Sequence, residues 1–116
     1  MECNGESVIL NKKSVITFAL EIWRISNSSS KIKNMDEFIS ARYSLRKLNQ
    51  ILEEEKIEFI DLSGEKYDAG MAVDVVYTEG VEGENSNFVI EEMMEPIILL
   101  KEKVIHRGKV VIAAKQ

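Results

Sequence analysis

The fold is decided where Leu45-Arg46-Lys47-Leu48-Asn49-Gln50-Ile51-Leu52-Glu53-Glu54-Glu55-Lys56 gives way to Ile57-Glu58-Phe59-Ile60-Asp61. Upstream, Phe38, Ala41, Leu45, Leu48 and Leu52 follow a three-four-three-four rhythm, which lays one apolar seam along a helix of about 20 residues. Downstream the apolar residues come in short runs bounded by turn formers, the texture of strands. Two kinds of periodicity in one chain of 116 residues predict an α+β fold with helices first and strands second.

Working back from the seam, Asn34 is a suitable N-cap, with Asp36 and Glu37 in a first turn whose positive end favours acids. Before it, the small polar run Ser26-Asn27-Ser28-Ser29-Ser30 reads as a break, because these side chains bond their own backbone. Earlier still, Val15, Phe18, Ile22 and Ile25 form one helical face, and Ile16, Ala19, Leu20 and Trp23 an adjacent one. A helix over Ser14–Ile25 is therefore apolar across more than the usual width and needs two neighbours. The acids Glu53-Glu54-Glu55 close the second helix at the end where its dipole prefers bases.

Working forward, Gly64 to Gly70 is rich in turn residues. Met71, Val73, Val75 and Tyr77 alternate with Ala72, Asp74, Val76 and Thr78, as in a strand with one face more exposed than the other. Gly80 to Asn87 reads as an acidic loop. Four further strands are expected at Phe88–Met94, Ile97–Leu100, Lys103–His106 and Lys109–Ile112, punctuated by Pro96 and Gly108. Their short connectors favour antiparallel pairing. The chain divides into a helical stem and dimerisation segment, 1–56, and a small antiparallel β-domain, 57–116.

Composition narrows the function. The chain is 45% apolar and 30% charged, with a formal net charge of −5, which opposes attraction to a phosphate backbone. Nucleic acid is not an expected partner. Residues 1–56 hold 9 Lys/Arg and 8 Asp/Glu, whereas 57–116 hold 6 and 12, so the acidity belongs to the β-domain. The longest apolar stretch, Val15 to Ile25, is interrupted by Thr17, Glu21 and Arg24 and falls short of the roughly 20 residues a bilayer requires. No membrane association is expected. The first residues lack the basic start and apolar run of a secretory signal, and one cysteine, Cys3, suits a reducing compartment. A cytoplasmic location is the expectation.

Catalytic motifs are missing from the sequence. With His106 as the sole histidine, one chain cannot build a site with two imidazoles, and no serine or cysteine stands in a nucleophile elbow. Gly80-Val81-Glu82-Gly83-Glu84 carries glycines but is acidic and lacks the lysine of a phosphate loop. Glu91, Glu92 and Glu95 read as a solvated strand edge. Trp23 and the pair Met93-Met94 read first as packing residues. No metal or cofactor is expected.

The order of parts carries a resemblance. A leucine-patterned helix leads into Ile57-Glu58-Phe59-Ile60-Asp61, then Gly64-Glu65-Lys66-Tyr67-Asp68, then strands ending in Lys103-Val104-Ile105-His106-Arg107-Gly108-Lys109-Val110-Val111-Ile112. This resembles the GrpE nucleotide-exchange factors over roughly Leu45 to Ile112. In that family a helix passes through a "G-x-x-F-D-P" turn into a β-domain ending in "R-V-hydrophobic-R-P-A-x-V-x-V". Here Tyr67 stands for the Phe, Ala69 for the Pro, Ala72 for the usual His, Ile97-Ile98 for a Gly-Tyr pair, and Arg107-Gly108 for Pro-Ala. The long paired helix of the family is replaced by the short Ser14–Ile25 helix, a serine-rich linker and one helix of modest length.

The resemblance implies a GrpE-head-like β-domain and a co-chaperone, not an enzyme, that binds the nucleotide-binding domain of a DnaK-type ATPase and promotes ADP release. On it, Lys103, His106, Arg107 and Lys109 become the polar contacts to the partner, with Val104 and Ile105 as apolar anchors. It also implies a homodimer through the helices. Val15, Phe18, Ile22 and Ile25 would then pack within the chain on Phe38, Leu45 and Leu48, leaving Ile16, Leu20 and Trp23 for a second copy; the equal alternative is that both faces pack on the chain's own sheet. Phe38, Leu45 and Leu48 complete the dimerisation set. Two other readings stay open: a dimeric scaffold or protein-binding module of the same fold that no longer exchanges nucleotide, and a small enzyme pairing His106 with Glu91 or Glu92.

Overall fold

The computed structural model describes residues 9–29, 39–80 and 87–115. Two helices, α1 (Lys12–Ser29) and α2 (Ile39–Glu54), precede six strands: β1 (Ile57–Ile60), β2 (Val73–Glu79), β3 (Asn87–Glu95), β4 (Ile97–Leu100), β5 (Lys103–His106) and β6 (Gly108–Lys115). The fold is α+β, a helical hairpin followed by a β-domain. Asn34, Asp36, Glu37 and Phe38 lie outside the described residues, as do Cys3 and 81–86.

Asn11 caps α1, its side-chain oxygen accepting from the Ser14 N–H at 2.8 Å. The helix does not stop at Ile25 as expected but runs on through Ser26, Asn27 and Ser28 to Ser29. The small polar residues are tolerated because α2 supports them: the Asn49 side-chain amide donates to Ser26 Oγ at 3.2 Å and to its own Leu45 carbonyl. Helix α2 closes at Lys56, whose left-handed φ of 64° turns the chain and whose carbonyl accepts from the Lys101 N–H at 2.9 Å.

The strands form two three-stranded sheets, β1-β4-β5 and β2-β6-β3. Both are threaded by one bent hairpin. Strand β3 becomes β4 across Pro96 alone, and β5 becomes β6 across Arg107 alone, so the same two chain segments pair in both sheets. The hairpin tip is the two-residue turn Lys101-Glu102, with φ of 50° and 68°, positive at both positions as the right-handed twist of the strands demands. Three of the four strand pairs are antiparallel; β2 and β6 run parallel, against expectation. The segment 61–72 makes this possible by carrying the chain from the first sheet along the free edge of β3 and across to the opposite edge of the second sheet before β2 begins. It is fastened there by Gly64 N–H to Ile90 O, Ile90 N–H to Glu65 O and Tyr67 N–H to Phe88 O, at 2.7 to 2.8 Å.

Strand β4 is the centre of the molecule. Its run Ile97-Ile98-Leu99-Leu100 does not alternate in polarity because both faces are covered. Ile98 is fully buried against Ala19 and Leu20 of α1, with Ile16, Ile57, Phe59 and Ile105 around them. Ile97, with Leu99 and Ile60, joins the other core, formed with Val73, Ile90, Met93, Val110 and Ile112 of the second sheet. Ala19 is also fully buried, and its small side chain lets α1 approach the sheet closely.

Burial along β2 does not alternate as expected. Val73 is buried, but the register shifts between Val75 and Tyr77, and Val75, Val76 and Tyr77 are all exposed. The extra residue, Val76, exchanges the faces beyond it. Further shifts in β3 let Ile90 and Met93, three apart, share the inner face.

The hairpin tip yields a stability prediction. Lys101 and Glu102 occupy backbone positions that suit Asn and Gly, so Lys101→Asn with Glu102→Gly should raise unfolding stability by about 1 kcal/mol in urea titration. A destabilised double variant would mean that the two side chains hold the tip by some other interaction.

Candidate protein-contact surfaces

The expected contact strip lies along the second limb of the bent hairpin, and most of it is engaged internally. His106 Nε2 lies 2.8 Å from Glu95 Oε1, and Lys109 Nζ is 3.9 Å from the same oxygen. The other oxygen, Glu95 Oε2, accepts from Arg24 of α1 at 3.0 Å. Glu95 is thus not the solvated edge residue that its sequence suggests. Its side chain is 14% exposed and joins α1, β5 and β6 at the point where β3 bends into β4. A half-buried carboxylate is stable here because three basic side chains surround it.

Arg107 is committed as well. Its Nε donates to Asp74 Oδ1 at 3.0 Å and its NH2 to the Val73 carbonyl at 2.7 Å, clamping the β5–β6 junction to β2. The next residue, Gly108, is buried beside the bend. A Cβ there would sit 3.0 Å from the Glu95 carbonyl oxygen and 3.2 Å from Ile97 Cγ1, so this junction admits no alanine without rearrangement. Ile105 is half-buried on the core under α1. Lys103 and Val104, near the tip, are exposed and enter no ion pair or side-chain hydrogen bond among the described residues.

On the helices, the Val15–Phe18–Ile22 face of α1 is turned toward α2 as expected, whereas the face expected to be left for a second copy is partly used within the chain. Ile16 and Leu20 pack on the chain's own first sheet, while Val15, Phe18 and Ile22 face α2. The small Ala19 decides this, because the face that contains it permits the closer approach. Trp23 is half-buried. Leu45 is half-buried and Leu48 exposed, and Leu52 is the buried residue of α2.

Between the helices and the first sheet lies an open groove of about 570 Å³, lined mainly by Val15, Phe18, Ile22, Leu48, Ile51 and Leu100. It is apolar, with Glu55 and Lys101 on its lining. Phe18 is 59% exposed and Ile51 52%, so the residues at its mouth are hydrophobic and uncovered. The seam positions were readable from the heptad rhythm, but this groove was not, since Ile51 lies outside that rhythm. Among the described residues, no cluster of His, Cys, Asp or Glu could hold a metal ion, and no buried side-chain nitrogen or oxygen lacks a hydrogen-bond partner. No helix among them is long and apolar enough to cross a membrane.

On the second sheet, the exposed Glu79 and Glu91 meet, and the Glu91 carboxyl is held above the ordinary carboxylate range by its hydrogen bond to Glu79 and by that neighbour's charge. His106 is paired with neither Glu91 nor Glu92; its carboxylate is Glu95.

Two outcomes follow. Glu95→Ala should cost about 1 kcal/mol in chemical denaturation because it removes the acceptor beside the half-buried His106 and one of the two carboxylates on the exposed Arg24, which keeps its pair with Glu21, and Glu95→Gln should recover part of the loss; a neutral Glu95→Ala would show that packing alone holds the junction. For Glu91, the folded state keeps its proton to higher pH than the unfolded chain, so stability falls as pH rises from the ordinary carboxylate value through the raised one. Glu91→Gln should remove that slope and be the more stable protein at neutral pH, with equal slopes in both proteins as the contrary result.

Compared with known proteins, the chain matches no protein-family model, no curated protein and no solved structure.

Proposed function

We propose that this protein is a divergent GrpE-like co-chaperone that binds the nucleotide-binding domain of a DnaK-type ATPase and promotes ADP release, without catalysis of its own. One observation supports the reading above others: the segments that carry the resemblance meet in one hydrogen-bonded head. Gly64 to Tyr67 is hydrogen-bonded to β3, and Lys103 to Ile112 forms the limb of the hairpin that ties both sheets together. Exchange by wedging needs such a body, because a contact surface that yields cannot discriminate an open cleft from a closed one. A head that fits the open state better shifts the partner toward it and lowers nucleotide affinity by the same coupling.

A second reading has an observation of its own. His106 and Arg107 are occupied by Glu95 and Asp74, which leaves less of the basic strip for a partner and favours a non-exchanging dimeric scaffold or protein-binding module of the same fold. In either reading the available contacts on the strip concentrate at Lys103 and Val104.

Release of a fluorescent ADP from candidate DnaK-type ATPases tests the proposal. Acceleration by the wild-type protein is expected, and Lys103→Glu with Val104→Asp should weaken partner affinity by about tenfold or more while leaving thermal unfolding unchanged. Binding without any change in ADP release selects the scaffold, and neither binding nor release by any such ATPase rejects both.

A further inference from the structure

We infer that the free edge of β2 takes up, as an added strand, an extended segment of a partner protein that alternates apolar and basic side chains. The site lies apart from the Lys103–Lys109 strip, and the inference does not depend on the exchange reading.

The two edges of the second sheet are treated differently. In the order β2-β6-β3 the outer strands are β2 and β3. The edge of β3 is closed by the chain itself, which lays Gly64 to Tyr67 along it, with Lys66 bridged to Val89. This sheet thus already accepts an extended segment at one edge. On β2 only the start is closed. The Ala72 carbonyl accepts from the Gly108 N–H across the pair at 3.0 Å, so the next carbonyl, that of Val73, turns away from β6, where Arg107 Nη2 donates to it at 2.7 Å. Beyond that point, among the described residues, nothing is bonded to the outer edge of Val75 to Glu79. Unpaired strand groups of this kind are a template for another strand.

The side chains beside the edge define what fits there. Val75 stands opposite the buried Val110 and Thr78 opposite the buried Ile112, so both lie at the rim of the core and would adjoin apolar side chains of an added strand. Tyr77 and Glu79 belong to the other face, opposite Val111 and Ala113. On that face Glu92 flanks Val111 from β3, and Glu91 reaches Glu79 through a hydrogen bond. No lysine, arginine or histidine among the described residues pairs with Glu79, Glu91 or Glu92. A lysine or arginine on the added strand beside Glu79 would supply the missing opposite charge, and the exposed ring of Tyr77 offers a surface to its stem.

A second copy of β2 is a poor occupant. Acids stand at both ends of the exposed stretch, Asp74 and Glu79, so in either direction two copies would set acid against acid. The bulge at Val76 also twists the edge away from flat pairing between identical strands. A basic segment of another protein meets the acids favourably, and a short extended one can follow the twist.

Titration of the full chain at low salt with a capped synthetic peptide of alternating lysine and valine, about seven residues long, tests this by amide NMR. Saturable binding is expected, with the amide signals of Val75 to Glu79 shifted and their hydrogen exchange slowed. The same peptide with its backbone amides N-methylated keeps the side chains and loses the ladder, and should bind at least about tenfold more weakly. A glutamate–valine peptide should be weaker by a similar factor, and Glu79→Lys should weaken the lysine–valine peptide about tenfold with thermal unfolding unchanged. The proposal is overturned by no binding up to about 5 mM, by shifts confined to another surface, or by equal binding of the N-methylated or the glutamate peptide. Because no ATPase or nucleotide enters the measurement, failure here and failure of the exchange reading are told apart.

Discussion

At Glu95-Pro96 the chain leaves one sheet and enters the other, and the rest of the molecule is arranged around that bend. Proline cannot donate to a strand ladder, so the pairing between the hairpin limbs must break at residue 96, and it breaks opposite Arg107-Gly108. Two separate sheets result from one hairpin. At the bend the Glu95 carboxylate accepts from Arg24 and lies beside His106 and Lys109. The same carboxylate that steadies the bend fastens α1 to it, which makes the helix part of the head. Gly108 fits because the backbone of Glu95 and the side chain of Ile97 already occupy the place of a Cβ.

This arrangement also gives Arg107 a structural role. Arg107 reaches sideways to the Val73 carbonyl and Asp74, pinning β2 to the junction where a proline would only stiffen it. A parallel β2–β6 pair has no hairpin of its own to hold it, and the Arg107 clamp adds a side-chain tie at the start of that pair. The cost falls on the strip as a contact surface: a partner that competed for Arg107 or His106 would have to replace interactions that hold the fold.

Much of the fold was legible in the residues, and the exceptions have physical causes. The strand cores were readable because each apolar run is bounded by a breaker: Ile97 to Leu100 between Pro96 and the Lys101-Glu102 turn, Lys103 to His106 before Gly108. The parallel pair was not, because strand direction is set by the path of residues 61–72 over the second sheet, and short connectors elsewhere argue the opposite. The two apolar faces of α1 have equal periodicity; which one meets the sheet depends on Ala19 having no bulk, a property of the contact and not of the pattern. Glu95 looked like its neighbours Glu91 and Glu92 because its partners, Arg24 and His106, are far away or across a turn in sequence. Its position directly before Pro96 was the available sign.

Exposed apolar surface is arranged differently on the two halves of the molecule. Among the described residues of the β-domain it comprises Val104 near the tip, Met94 on β3 and the run Val75, Val76 and Tyr77 on the edge strand β2, whereas on the helices Phe18, Leu48 and Ile51 share one groove, with Ile25, Ile39 and Tyr43 exposed outside it. A concave apolar site gains more from a fitted occupant than isolated residues do, because it excludes water from both sides of the contact. On the helices the groove is therefore the apolar surface that a fitted occupant would cover with the largest gain, and its position follows from where the hairpin bends and which face of α1 the sheet accepts.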